Sequence, residues 1–157
     1  MREVVLILHN IRSLHNVGSI FRTADGAGVK KIYLICITPQ PTDRLGRVRE
    51  PLRKVSLGAE ETVSWEKVSS FARLSKKMRE EGYSICALEQ AENSINYTKL
   101  LKTKKKIALV VGNEVDGVPR AVTKNCDYIL EIPMRGKKES LNVSVATGIA
   151  LFRITNP

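Results

Sequence analysis

The run Ile107-Ala-Leu-Val-Val111 has no polar side chain, and neither does Val4-Val-Leu-Ile-Leu8. Successive side chains of a strand point to opposite faces of its sheet, so a strand without a polar side is buried on both faces. That situation arises where helices cover a parallel sheet from above and below. Other strand candidates are Lys31–Ile37, Thr62–Trp65, Ser84–Leu88 and Tyr128–Ile132. Segments of helical spacing lie between them: Val17–Ala27, Leu52–Leu57, Val68–Glu81, Pro119–Cys126 and Val143–Phe152. This alternation predicts an α/β fold, an open and mostly parallel sheet with helices on both faces. No linker, repeat or low-complexity tract interrupts it, so residues 1–157 are expected to form a single domain.

Open α/β sheets bind ligands in the crevice beyond the carboxyl ends of their strands. Three polar loops of this chain should lie there. The first, Asn10 to Asp25, follows the first strand. Asn16 is an expected helix N-cap, and Gly18 falls one helical turn before Arg22, where a missing side chain leaves room beside the guanidinium. Ile20, Phe21 and Ala24 predict a largely buried helix, in which Arg22 needs an anionic partner, either an internal carboxylate or a ligand phosphate. The second loop is Val111-Gly-Asn-Glu-Val-Asp-Gly-Val-Pro-Arg120. Gly112 lets the backbone approach a ligand, Gly117 and Pro119 shape the turn, and Glu114 and Asp116 are turn acids or, for Asp116, a cap. The third is Ile132-Pro-Met-Arg-Gly-Lys-Lys-Glu-Ser-Leu-Asn142. Pro133 forces the chain out of the sheet, and Ser140 and Asn142 are both good caps for the last helix.

Composition narrows the partner. Lys and Arg number 26 against 16 Asp and Glu, a net charge of +10, which favours a polyanion, with nucleic acid ahead of a membrane surface. Arg44, Arg47, Arg49, Arg53 and Lys54 cluster after the second strand. A second group, Lys99, Lys102, Lys104, Lys105 and Lys106, reads equally well as a solvated loop. Cys36, Cys86 and Cys126 have no metal-ligand or disulfide spacing and read as buried small hydrophobes of a reducing cytoplasm. No signal peptide or membrane-length apolar stretch is visible. Gly26 and Gly28 follow the first helix with Lys31 where a third glycine would stand, so they make no dinucleotide fingerprint. There is no Walker A lysine. His9 and His15 have no metal-site context, so no metal is expected.

Asn16-x-Gly18-x-x-x-Arg22-x-Ala24, Gly112-Asn-Glu114-x-x-Gly117, and Ile132-Pro-Met134 with Ser140-Leu-Asn-Val-Ser-Val-Ala146 resemble three ordered motifs of the SpoU (TrmH) family of RNA methyltransferases, in the SPOUT superfamily. The resemblance runs from the first strand to the last helix. It implies transfer of a methyl group from S-adenosyl-L-methionine to a ribose 2′-hydroxyl of rRNA or tRNA, a C-terminal deep trefoil knot, and a homodimer. Carried over by motif, Gly112, Ile132, Leu141, Leu88 and Met134 are the expected cofactor contacts. Asn16, Arg22, Glu114, Ser140 and Asn142 match the family's polar catalytic set, with Arg22 acting on the partner subunit's site and Glu114 orienting Arg22 or Asn16. Arg12, Arg44, Arg47, Arg49 and Arg53 are the expected RNA contacts. No RNA-binding extension is expected before the first strand. The rival reading is a catalytically silent RNA-binding or ribosome-assembly module on the same fold, and the complete polar set argues against it.

Overall fold

The computed structural model describes residues 1–100 and 103–156. The strands are β1 (Glu3–His9), β2 (Lys31–Ile35), β3 (Trp65–Val68), β4 (Ser84–Leu88), β5 (Ile95–Asn96), β6 (Lys106–Val111) and β7 (Tyr128–Glu131). They form one sheet in the order β3-β2-β1-β6-β4-β7-β5, and every pairing is parallel. The helices are α1 (Leu14–Gly26), α2 (Glu50–Ser56), α3 (Ala59–Thr62), α4 (Phe71–Glu80), α5 (Arg120–Thr123) and α6 (Val143–Thr155).

The doubly apolar strands occupy the centre, as their sequence requires. Val4, Leu6 and Leu8 of β1 pack with Val17, Ile20 and Phe21 of α1 and with Ala150, Leu151 and Ile154 of α6. Val5 and Ile7 face the other way, onto Phe71, Leu74 and Met78 of α4 and Val122 of α5. Burying both sides of β1 and β6 is the main source of stability here, at about 25 cal/mol per Å² of apolar surface. Arg2 closes the α1 and α6 layer. Its buried guanidinium donates to the carbonyls of Lys104 at 2.8 Å and of Ile154 and Leu100 at 3.3 Å each, joining the chain start to the last turn of α6.

Several expectations need correction. Thr62–Trp65 is not a strand: Ala59–Thr62 is a helical turn, and the edge strand is Trp65–Val68, paired with Ile32–Ile35. β2 stops at Ile35 because Cys36 takes a left-handed conformation, φ 55°, which turns the chain out of the sheet. Cys36 and Ile37 are therefore exposed, and only Cys86 of the three cysteines is fully buried. α4 begins at Phe71, not Val68, where the Ser70 hydroxyl accepts from the N–H of Arg73 at 3.3 Å. The two-residue β5 was not expected. Gly18 offers no room to a ligand: a Cβ there would lie 2.8 Å from the Leu52 carbonyl oxygen and 3.3 Å from Val55 Cβ. The missing side chain lets α2 pack directly on α1.

Candidate active site

The three polar loops meet at the carboxyl edge of β1, β6, β4 and β7, where hydrogen bonds join them into one unit. Asn113 is the hub. Its Nδ2 donates to the Asn10 carbonyl at 2.8 Å, and its Oδ1 accepts from the N–H groups of Val115 at 2.8 Å and Asp116 at 3.1 Å. Paired backbone bonds between Asn113 and Gly117, 3.1 and 3.0 Å, close the turn. Gly112 is required for that closure, since a Cβ on it would lie 2.3 to 2.4 Å from the backbone of Gly117 and Val118. On the far side, Glu89 Oε2 accepts from the Val118 N–H at 2.7 Å.

The same turn carries Glu114 to the first loop. Its Oε1 accepts from the Ser13 N–H at 3.1 Å and from Asn16 Nδ2 at 3.0 Å, and its Oε2 from the Arg12 N–H at 3.2 Å. Partial burial pushes this carboxyl up, but the donors from Asn16, Ser13 and Arg12 outweigh it and hold the group below its ordinary value. Glu114 is thus an ionised clamp on the turn that opens α1. It orients Asn16, not Arg22. Asn16 is not the N-cap either; Ser13 is, its hydroxyl accepting from the Asn16 N–H at 3.2 Å. This shift frees the buried Asn16 side chain for a different task.

The third loop joins through that side chain. Asn142 Nδ2 donates to Asn16 Oδ1 at 3.2 Å. Asn142 Oδ1 meanwhile caps α6, accepting from the Ser144 N–H at 2.9 Å and the Ser144 hydroxyl at 2.6 Å. Those two donors fix which way the amide points, so the donors run in one direction, Ser144 to Asn142 to Asn16 to Glu114. Ser140 caps nothing. It is exposed and lines a cleft beside this array. Asp116 is a turn acid; α5 starts after Pro119 without a side-chain cap.

The cleft measures about 220 Å³. Gly112, Ile132, Leu141, Leu88 and Met134 all line it, as do Glu114 and Ser140. Its walls carry Glu89, Glu114, Asp116 and Glu131 and no lysine or arginine, the opposite of the chain's overall balance. Such a lining suits a ligand of positive charge with an apolar body and repels a phosphate. Arg22 lies elsewhere. It is exposed on α1, without a hydrogen bond or ion pair among the described residues, in a depression with Ser19, Thr23, Gly26, Val55 and Phe152. The expected internal anion is absent because α1 buries only its other face.

The family model of the SpoU rRNA methylase family matches residues 3–152. The chain belongs to the SpoU rRNA methylase family. Among curated SpoU relatives, it is 36% identical over 152 residues to the 23S rRNA (guanosine-2′-O-)-methyltransferase RlmB of Salmonella typhi. The match covers 96% of this chain and 59% of that protein, so the chain spans well under two thirds of its relative. The same enzyme of Escherichia coli K12 is 36% identical over 149 residues, 94% of this chain and 58% of that one. Among solved structures, the TrmH/SpoU tRNA modifying enzyme of A. aeolicus superposes with a TM-score of 0.83 at 30% identity, covering 99% of this chain and 75% of that one. The AdoMet-bound rRNA methyltransferase of Sinorhizobium meliloti gives a TM-score of 0.86 at 28% identity, with 96% and 55% covered.

The expected RNA contacts sit outside the cleft. Arg44, Arg47, Arg49 and Arg53 are exposed on the segment from β2 into α2, and Arg12 is exposed beside Glu114. Lys99, Lys104, Lys105 and Lys106 flank the start of β6, at the opposite edge of the sheet, while Lys102 lies outside the described residues. Lys106 is already engaged with Glu3 at 3.7 Å and with the Tyr83 ring at 5.3 Å. Sequence reasoning missed Ser13, Glu89, Asn113 and Ser144 as positioning groups. Ser144 and Asn113 stand inside the quoted motifs, so motif spacing held the signal; Glu89 had none.

Proposed function

We propose that this chain binds S-adenosyl-L-methionine in the cleft and methylates a ribose 2′-hydroxyl of rRNA or tRNA. The observation that carries the reading is the hydrogen-bonded array of Glu114, Asn16 and Asn142, whose Glu114 lines an acidic cleft without lysine or arginine. The residues present fit the cofactor. Leu88, Ile132, Met134 and Leu141 offer apolar contact to a flat ring, and Glu89, Glu114, Asp116 and Glu131 match its net positive charge. When bound, S-adenosyl-L-methionine supplies a methyl group on a sulfonium, already activated for transfer to an oxygen. The protein's share is then positioning and charge stabilisation. Asn16 and Asn142 are held rigidly where a ribose hydroxyl would be aligned, with Ser140 beside them. The Arg22 guanidinium anchors the neighbouring phosphate and stabilises the negative charge that grows on the 2′-oxygen as its proton passes to solvent water.

Arg22 does this in a homodimer. Val145, Ile149 and Phe152 form one exposed apolar face of α6, at 51%, 37% and 50% accessible, and Phe152 lines the depression that holds Arg22. A second copy seated there would cover the stripe and receive Arg22 in its own site. The knot belongs to the same proposal. β7 lies between β4 and β5 although β5 precedes it in the chain, and the segment after it passes Gln90, whose amide donates to the Glu139 carbonyl, before α6 docks on α1. Arg12, Arg44, Arg47, Arg49 and Arg53 hold the RNA backbone, contacts that position without reading sequence. The free thiols Cys36, Cys86 and Cys126 fit a cytoplasmic setting. The test is methyl transfer to RNA from labelled S-adenosyl-L-methionine. A silent RNA-binding module would bind the cofactor, RNA or both without transfer.

A further inference from the structure

Between β2 and α2 the chain makes a small, fully organised turn whose arginines are assigned above to the RNA backbone but whose apolar tip has no part in that reading. Thr42 and Val48 form an antiparallel bridge, and Asp43 fills its interior. Asp43 Oδ1 accepts from the N–H groups of Leu45 at 2.8 Å and Arg47 at 3.0 Å, and its Oδ2 accepts from Arg47 Nε at 2.9 Å. The Asp43 N–H donates to the Arg47 carbonyl at 2.8 Å, the Gly46 N–H to the Asp43 carbonyl at 3.1 Å, and Arg49 Nε to the Thr42 carbonyl at 3.2 Å. Gly46 supplies the positive φ of 77° that the reversal needs.

All this order holds up one apolar side chain. Leu45 is 76% accessible at the tip, between the exposed Arg44 and Arg47. A single exposed leucine is ordinary on a protein surface. A leucine raised on a self-bonded turn among four exposed arginines is in a setting built for a polyanion with apolar faces. The turn hangs from the same sheet edge as the active site. The Ile37 N–H before it donates to Asn10 Oδ1 at 3.3 Å, and Thr38 Oγ donates to the Leu8 carbonyl at 2.9 Å and accepts from the Ile11 N–H at 3.1 Å.

We infer that Leu45 packs on the face of an unstacked base while Arg44 and Arg47 hold the adjoining phosphates. Duplex RNA hides its base faces and offers only phosphate, ribose and base edges, so leucine gains nothing from it; loops and bulges expose the faces. The partner this turn fits is therefore looped RNA. The inference rests on the RNA-binding part of the proposed function, not on the transfer step.

The experiment is binding of the full chain, by fluorescence anisotropy, to two labelled RNAs of equal length: a hairpin with an unpaired loop and a blunt duplex. Wild type should prefer the hairpin. Leu45→Ser should weaken hairpin binding about fivefold, leave duplex binding unchanged, and keep the salt slope. Leu45→Met should restore the loss. Arg44→Gln should weaken both RNAs and reduce the salt slope by about one. Equal loss on both RNAs, no loss at all, or a drop in subunit association with Leu45→Ser would overturn the assignment. Wild type that binds RNA but transfers no methyl would sink the enzymatic reading alone, and the Leu45 comparison would still decide this one. Wild type that binds neither RNA overturns both.

Discussion

Asn16 is hydrogen-bonded to both Glu114 and Asn142, so each of the outer two can be tested for what it gives Asn16. Glu114 is ionised and accepts three donors, so its work is to hold the Arg12–Asn16 turn. A glutamine cannot accept on both ends: with its oxygen toward Ser13 and Asn16 it sets its NH2 against the Arg12 N–H, and the turn that carries Asn16 loosens. Glu114→Gln should lower methyl transfer about 100-fold while S-adenosyl-L-methionine binding, measured by calorimetry, changes little. The pH dependence follows from the same bonds. A carboxyl held below its ordinary 4.5 in the folded state contributes stability that is full above that value and is lost as pH falls through the lowered one. The stability gap between wild type and Glu114→Gln in urea denaturation should therefore be constant from neutral pH to about 5 and close in stronger acid. A gap that widened in acid would contradict the assigned bonds. Arg22→Ala should abolish transfer with cofactor affinity and melting temperature unchanged, because the side chain is exposed and away from the cleft. These residues were legible in the sequence as polar groups at strand ends, and their identity as a set came from the motifs. Their bonding was not legible: Asn16 reads as a cap until Ser13 is seen to be the cap, which frees its amide to bridge the other two loops.

At the level of elements, two glycines show how the backbone rather than side chains shapes the site. Gly112→Ala puts a methyl within 2.4 Å of backbone atoms that cannot rotate away. The Asn113–Gly117 turn must open, and cofactor binding should fall at least tenfold in calorimetry even if the protein stays folded. Gly18→Ala meets the Leu52 carbonyl at 2.8 Å and pushes α2 off α1. Its cost should appear as stability, about 1 to 3 kcal/mol in denaturant titration, with cofactor affinity retained. From sequence these two glycines look alike, each set beside a polar motif, yet one closes a ligand loop and the other a helix contact. The same limit explains the strand errors. Thr62 to Trp65 has β-forming residues, but the chain needs α3 to finish the corner under α1, and the strand slides on to Trp65–Val68 at the sheet edge. The central strands were read almost to the residue because both of their faces are buried, and burial leaves an unmistakable pattern.

For the whole molecule, the proposal needs two copies. The exposed stripe of Val145, Ile149 and Phe152 should be covered by a partner, so Phe152→Arg should give a folded monomer in sedimentation that no longer transfers methyl. Arg22→Ala and Asn142→Ala should each be inactive alone. Mixed and allowed to exchange subunits, they should recover about a quarter of wild-type activity, because half the dimers are mixed and each has one site with both groups intact. No recovery would mean that Arg22 serves its own subunit. The exposed stripe was not legible in composition, since its residues are interleaved with core residues of α6 and only the packing separates the two faces.

The most direct measurement is of the reaction itself. Wild type is incubated with methyl-labelled S-adenosyl-L-methionine and unmethylated rRNA and tRNA, and the RNA is digested to nucleosides for mass spectrometry. Label should appear in a 2′-O-methylated nucleoside and disappear with Asn16→Ala and with Arg22→Ala. Label on a base, or tight cofactor binding with no label in RNA, would contradict the assignment of the Glu114, Asn16 and Asn142 array to ribose methylation.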